Sequence, residues 1–150
     1  MIYYIADNHF GHKNVIRFDN RPFADTVLMD EVLVHNWNER VTEDDTVYIL
    51  GDCFWKNEEN SVKLIQRLKG HKHLIRGNHD RVHGRLRFYY ESIEHYAEIN
   101  DNDRLVILCH YPIPFYKNQH YGAVMLYGHV HNTREQDFIE KWKRELWESE

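Results

Sequence analysis

The stretch Leu74-Ile75-Arg76-Gly77-Asn78-His79-Asp80, "LIRGNHD", decides the reading of this chain. An apolar run stops at a glycine, and three strongly polar residues follow at once. A glycine lets the backbone turn sharply, so the strand ending at Arg76 delivers Asn78, His79 and Asp80 directly at its carboxyl end. The same design recurs elsewhere. Near-continuous apolar runs of strand length occupy Ile2–Ala6, Thr46–Leu50, His73–Arg76, Leu105–Cys109 and Ala123–Tyr127. Strands covered on both faces have this composition. His95–Ile99, followed by the turn-like "NDND", is a weaker sixth candidate.

Amphipathic helices are expected between the strands. Thr26–Val41 has apolar rows at helical spacing, with Asp25 or Thr26 able to cap it. Ser61–Lys69 gathers Val62, Leu64, Ile65 and Leu68 on one side, with Asn60 or Ser61 as cap and Gly70 as stop. Residues 135–147 form a charged amphipathic segment with Phe138, Ile139, Trp142 and Leu146 in register. Strand and helix alternate, which places the chain in the α/β class. Its 150 residues, without an internal repeat or linker, suit one domain over 1–150.

Composition narrows the function. The hydrophobic fraction of 42% is that of a folded protein. No run reaches the ~18–20 apolar residues of a membrane span, and the N-terminus lacks the basic start of a secretion signal. Two cysteines, Cys53 and Cys109, are too few for a disulfide framework, and a reducing cytoplasm is the simplest compartment. The net charge of −5 disfavours a broad nucleic-acid surface. Twelve histidines are scattered along the chain, so their neighbours matter more than their number.

Each of the five strands ends in Asp, Asn or His. The ends are "DNH" (Asp7, His9), "GD" (Asp52), "GNHD" (Asn78), Cys109-His110, and "GHVH" (His129, His131). One such end would be an ordinary turn residue. Five together are a site, because ligands of open α/β sheets gather outside the carboxyl ends of strands. Two carboxylates, four imidazoles and one amide oxygen fill two divalent-metal sites if one carboxylate bridges. Mn, Fe or Zn all suit such a donor set.

These elements, in this order, resemble the calcineurin-like metallophosphoesterase superfamily, whose pattern is DxH, GD, GNH with D or E, a lone H, and GHxH. "DNHFGHKNVI" is similar to the opening of a subgroup of small bacterial and phage phosphoesterases. The resemblance implies a four-layer α/β/β/α sandwich with two metals. It assigns one metal to Asp7, His9, Asp52 and His131, and the other to Asp52, Asn78, His110 and His129. Asp52 is then the bridge. It also implies metal-activated water as nucleophile and His79 beside the leaving oxygen. Small members often continue past GHxH with closing strands, which this sequence does not show.

The implied activity is hydrolysis of a small phosphodiester or a nucleotide-derived phosphate. A metal-dependent nuclease is the alternative enzyme, and a protein-binding scaffold of the same fold is the alternative class. The protein phosphatase branch is disfavoured, because "GDCFWKN" lacks its GDxxDRG. Around the site, His12 is a candidate for substrate contact or for holding a ligand in place. Asp80 either orients His79 or, preferably, starts a helix. Arg17 and Arg21 are candidates for phosphate, with solvated surface preferred, and the tryptophans are expected to serve packing.

Overall fold

The computed structural model describes residues 1–147. Among these, seven strands form two sheets. β1 (Ile2–Ile5), β2 (Thr46–Ile49), β3 (His71–Ile75) and β4 (Ser92–Glu94) lie in that order, every neighbour parallel. β5 (Tyr96–Asp101) pairs antiparallel with β6 (Arg104–Cys109), which pairs parallel with β7 (Val124–Leu126). The helices are α1 (Lys13–Phe18), α2 (Thr26–Arg40), α3 (Glu58–Ile65) and α4 (Arg134–Trp147). The protein is thus mixed α/β, with one parallel sheet and a second, smaller sheet. No helix among the described residues is long and apolar enough to cross a membrane.

Side-chain alternation explains why the first strands read as continuous apolar runs. Successive residues of a strand face opposite ways. Tyr3, Ile5, Val47, Ile49 and Leu74 join Val34 and Trp37 of α2 and Val62, Leu64 and Ile65 of α3 in one apolar cluster. Their neighbours Tyr4, Ala6, Tyr48, Leu50 and Ile75 join Ala97, Ile99, Val106, Leu108 and Leu126 of the second sheet in another. The parallel sheet is therefore covered by helices on one face and by the second sheet on the other. Ile139 of α4 is buried, and the Lys143 ammonium donates to the Tyr127 hydroxyl at 2.8 Å beyond β7.

Local chemistry sets the element ends. The Asp25 carboxylate accepts from the Leu28 amide at 2.9 Å and caps α2 as expected. α3 begins three residues before Ser61, because Asn57 is its cap and accepts from the Asn60 amide at 3.0 Å. Glu58 and Glu59 then occupy its first turn, where the helix dipole favours acid. It ends at Ile65, so Gly70 does not stop it, and Leu68 is buried outside the helix. β3 starts two residues before His73. α1 and β4 escape sequence reading because six and three residues are too short to display a period.

Candidate metal centre

The backbone ladder does not stop where the strands do. The Asp7 amide donates to the Gly51 carbonyl at 3.1 Å, His9 to Asp52 at 3.0 Å, and Phe10 to Cys53 at 2.9 Å. The turns after β1 and β2 are thereby locked in register. The Gly128 amide donates to the His110 carbonyl at 3.0 Å and does the same for the turns after β6 and β7. Five of the seven expected donors, Asp7, His9, Asp52, His129 and His131, have φ between 43° and 72°. That left-handed region costs a side-chain-bearing residue roughly 1–3 kcal/mol and is seen where function requires it.

All seven donors converge on one edge. Asp7, His9 and His131 form one compact group, and Asp7, Asp52 and His110 form another. His131 Nε2 lies 3.5 Å from Asp7 Oδ1 and 3.2 Å from His9 Nε2. Asp52 Oδ2 lies 3.9 Å from His9 Nε2 and 3.6 Å from His110 Nε2. The Asn78 amide oxygen is 3.0 Å from His110 Nε2 and 3.1 Å from His129 Nδ1. Asp52 therefore faces histidines of both groups, while Asp7 also reaches the second group. Close backbone approach makes the convergence feasible. A Cβ on Gly77 would overlap the Asp52 carboxylate, and one on Gly128 would come within 2.6 Å of Asp7 Oδ2.

The donor chemistry fits cations. His110 Nδ1 is 2.7 Å from the Leu50 carbonyl, which can only accept, so Nδ1 carries the hydrogen. In the neutral ring Nε2 then presents a lone pair to Asp52 Oδ2 and the Asn78 oxygen, acceptor against acceptor. A shared metal relieves such an arrangement. His131 Nδ1 is likewise held, 2.9 Å from both oxygens of Asp19, leaving Nε2 for the site.

Two histidines in contact have their pKa values shifted in opposite directions. Burial pushes His9 down to about 4, aided by positive His131 beside it and opposed by Asp52. Hydrogen bonding to Asp7 holds His131 up at about 9, against burial and with help from Asp19. Burial pushes the Asp7 carboxyl up, but His131 and the His129 amide outweigh it and the net shift is down.

Several neighbours of the donors differ from expectation. Asp80 neither starts a helix nor bonds to the His79 ring. Its buried carboxylate accepts from the amides of Asp52 at 2.8 Å, Cys53 at 3.0 Å and Gly77 at 2.8 Å. It staples the GD turn to the GNHD turn. Burial pushes its pKa up, against those three amides. His79 is fixed through its amide, which donates to Asp52 Oδ1 at 3.0 Å, while its exposed ring lies 4.4 Å from the Trp55 ring. Trp55 is thus a site residue and not core packing. It is 43% exposed and stacks on His12, centroids 3.9 Å apart. His12 Nδ1 is 3.3 Å from His9 Nδ1, which puts His12 behind a donor.

Arg21 is not solvated surface. It is half-buried and donates to the carbonyls of Asp7 and Asn8 at 2.9 and 2.8 Å and to Asp19 at 3.1 Å. Arg17 is exposed, with its guanidinium 5.4 Å from the Phe18 ring centre. Cys53 is fully buried, and burial pushes its thiol well up, which keeps it inert. Asp19 and Trp55 left no local signal toward the site, since His131 and the rings of His12 and His79 lie on other turns.

No protein-family model matches the chain. The crystal structure of the protein of unknown function AQ665 from Aquifex aeolicus is similar in fold, with a TM-score of 0.71 at 28% identity. The match covers 90% of this chain and 81% of that one. The Gene 66 protein of Mycobacterium phage L5 is 38% identical over 85 residues, 54% of this chain and 40% of its own. That of Mycobacterium phage D29 is 26% identical over 159 residues, covering 87% of this chain and 78% of its own. The uncharacterized protein MJ1445 of Methanocaldococcus jannaschii is 35% identical over 132 residues, 87% of this chain and 69% of its own length. At that identity and coverage, the chain belongs to the family of MJ1445.

Proposed function

We propose that this protein is a dinuclear-metal-dependent phosphoesterase of the calcineurin-like type, with the four-layer α/β/β/α sandwich of that group. The observation that carries the reading is the convergence of Asp7, His9, Asp52, Asn78, His110, His129 and His131 at one sheet edge, largely on left-handed backbone. Asp7, His9 and His131 would hold one divalent ion and Asn78, His110 and His129 the other, with Asp52 common to both. Mn, Fe or Zn suits the donors. When bound, the pair supplies Lewis acidity toward a phosphoryl group and lowers the pKa of water.

The chain's own residues do the rest. Asp19 and the Leu50 carbonyl hold His131 and His110 with Nε2 turned inward. Asp80 fixes the two turns that carry Asp52 and Asn78. The His79 ring, exposed and supported by Trp55, donates a proton to the departing oxygen. General acid help of this kind contributes typically ~10²–10⁴-fold. A centre with two divalent ions and two aspartates attracts a phosphate ester even in a protein of net −5. That charge favours a small phosphorylated substrate over nucleic acid, and two free cysteines suit a cytoplasmic setting.

The test is a panel of chromogenic phosphomonoesters and diesters with Mn²⁺, with EDTA as control. Turnover that depends on added metal is expected. Silence on every ester while two ions per chain are bound would sink the reading in favour of a scaffold.

A further inference from the structure

A cavity of about 490 Å³ opens beside His79. Phe54, Leu86 and Tyr90 contribute a buried apolar lining, and Asn78, His79 and Trp55 border it toward the donor cluster. Ligand pockets typically run ~300–1,000 Å³, so there is room for a group of nucleoside size.

The charges in its wall can be assigned one by one. The Lys56 ammonium is 3.1 Å from the buried Asp30 carboxylate. Both Asp80 oxygens are taken by backbone amides. Glu58 Oε1 accepts from the Arg85 amide at 2.6 Å, and Oε2 lies 3.8 Å from His83 Nε2. Arg81 remains. Its residue is exposed, lines the cavity, and has no ion pair or hydrogen bond among the described residues. Arg81 is therefore the one charged side chain of this lining without a partner among the described residues.

The geometry points to a leaving-group subsite in which Arg81 binds a phosphate carried by the departing half of the substrate. The substrate is then a phosphodiester whose leaving group is itself a phosphorylated alcohol, such as a nucleotide. This rests on the phosphoesterase reading, because His79 makes this cavity the departing side. Water adds to phosphorus and gives up a proton to solvent, the bond from phosphorus to the leaving oxygen breaks, and that oxygen takes a proton from His79, which regains one from solvent. The products are a phosphate monoester and the phosphorylated alcohol, with no change of oxidation state.

The experiment uses the full chain with Mn²⁺. It compares kcat/KM for thymidylyl-thymidine with the same dinucleotide carrying an added phosphate at its 3′ or its 5′ end. One phosphorylated form should be cleaved roughly 5–20-fold faster, the effect of one charge-assisted hydrogen bond. Raising salt should shrink that ratio. Arg81→Ala should bring it close to one, and Arg81→Lys should keep most of it, with metal content reporting an intact fold. A wild-type ratio of one or below overturns the inference while turnover of bis(4-nitrophenyl) phosphate leaves the phosphoesterase reading standing. So does a ratio unchanged in Arg81→Ala. No turnover of any ester with both metals bound overturns both.

Discussion

The two edges of the parallel sheet carry similar residue types and opposite arrangements. At the amino edge, Asp45 accepts from the N-terminal ammonium and from the amide and hydroxyl of Thr42. Lys72 donates to the carbonyls of Leu68 and Gly70 at 2.7 and 2.6 Å. His71 is paired with Glu91 at 2.9 Å. Each of these donors meets an acceptor, and of the residues named there it is a glycine, Gly70, that has a positive φ. At the carboxyl edge, imidazoles and side-chain oxygens crowd into one space. His9 Nε2 lies 3.2 Å from His131 Nε2, and the Asn78 and Asp52 oxygens lie 3.0 and 3.6 Å from His110 Nε2. Five residues there accept left-handed backbone to do so. Polar groups that satisfy each other serve stability. Titratable groups crowded together at strand ends mark a candidate ligand site.

The largest predicted effect breaks the carboxyl edge at its centre. Asp52→Asn should lose both ions together and reduce activity by more than about 10³-fold, given several kcal/mol of charge stabilisation from the metals. Elemental analysis reads the outcome, and a full complement of two ions would contradict the shared role of Asp52.

Next, His79→Asn should retain metal and slow turnover ~10²–10⁴-fold on esters with poor leaving groups. Metal loss in proportion to activity would place His79 among the ligands instead. Asp19→Asn removes the carboxylate that holds His131 and should weaken metal affinity by about 10–100-fold, measured by chelator competition. An unchanged affinity would mean that Asp19 serves only Arg21.

The pH dependence follows from the two histidines in contact. His131 is held up at about 9, so it carries a proton at neutral pH that a metal must displace. His9, pushed down to about 4, is already bare. Metal affinity should therefore rise with pH, by up to about tenfold per unit, and level off above about 9. Titration in buffers of different ionisation heat should show proton release on metal binding at neutral pH. No release would refute the assignment of His131.

The smallest effect sharpens the contrast from the other side. Lys72→Met at the amino edge should cost about 1–2 kcal/mol of stability in denaturant titration, through two carbonyls left unpaired. Metal content and activity should not change.

The seven residues that converge and the helix-linked strands could be read in advance, because strand alternation, glycine turns and polar strand ends are local properties. The capping of α2 by Asp25 belongs to the same class. Misreadings cluster where the deciding partner is distant. Asp80 looks like a helix start until the Asp52 and Cys53 amides, on another turn, close on its carboxylate. Trp55 looks like core until the rings of His12 and His79 meet it.

The order of residues alone determined the α/β alternation and which side chains stand at the strand ends, since backbone period and turn chemistry act over a few positions. Only the tertiary structure decided which donors touch, which nitrogen of each histidine is free, and that Asp19, Arg21, Trp55 and Asp80 build the surround. Those outcomes depend on groups far apart in the chain, and packing of the two sheets and their helices brings them together.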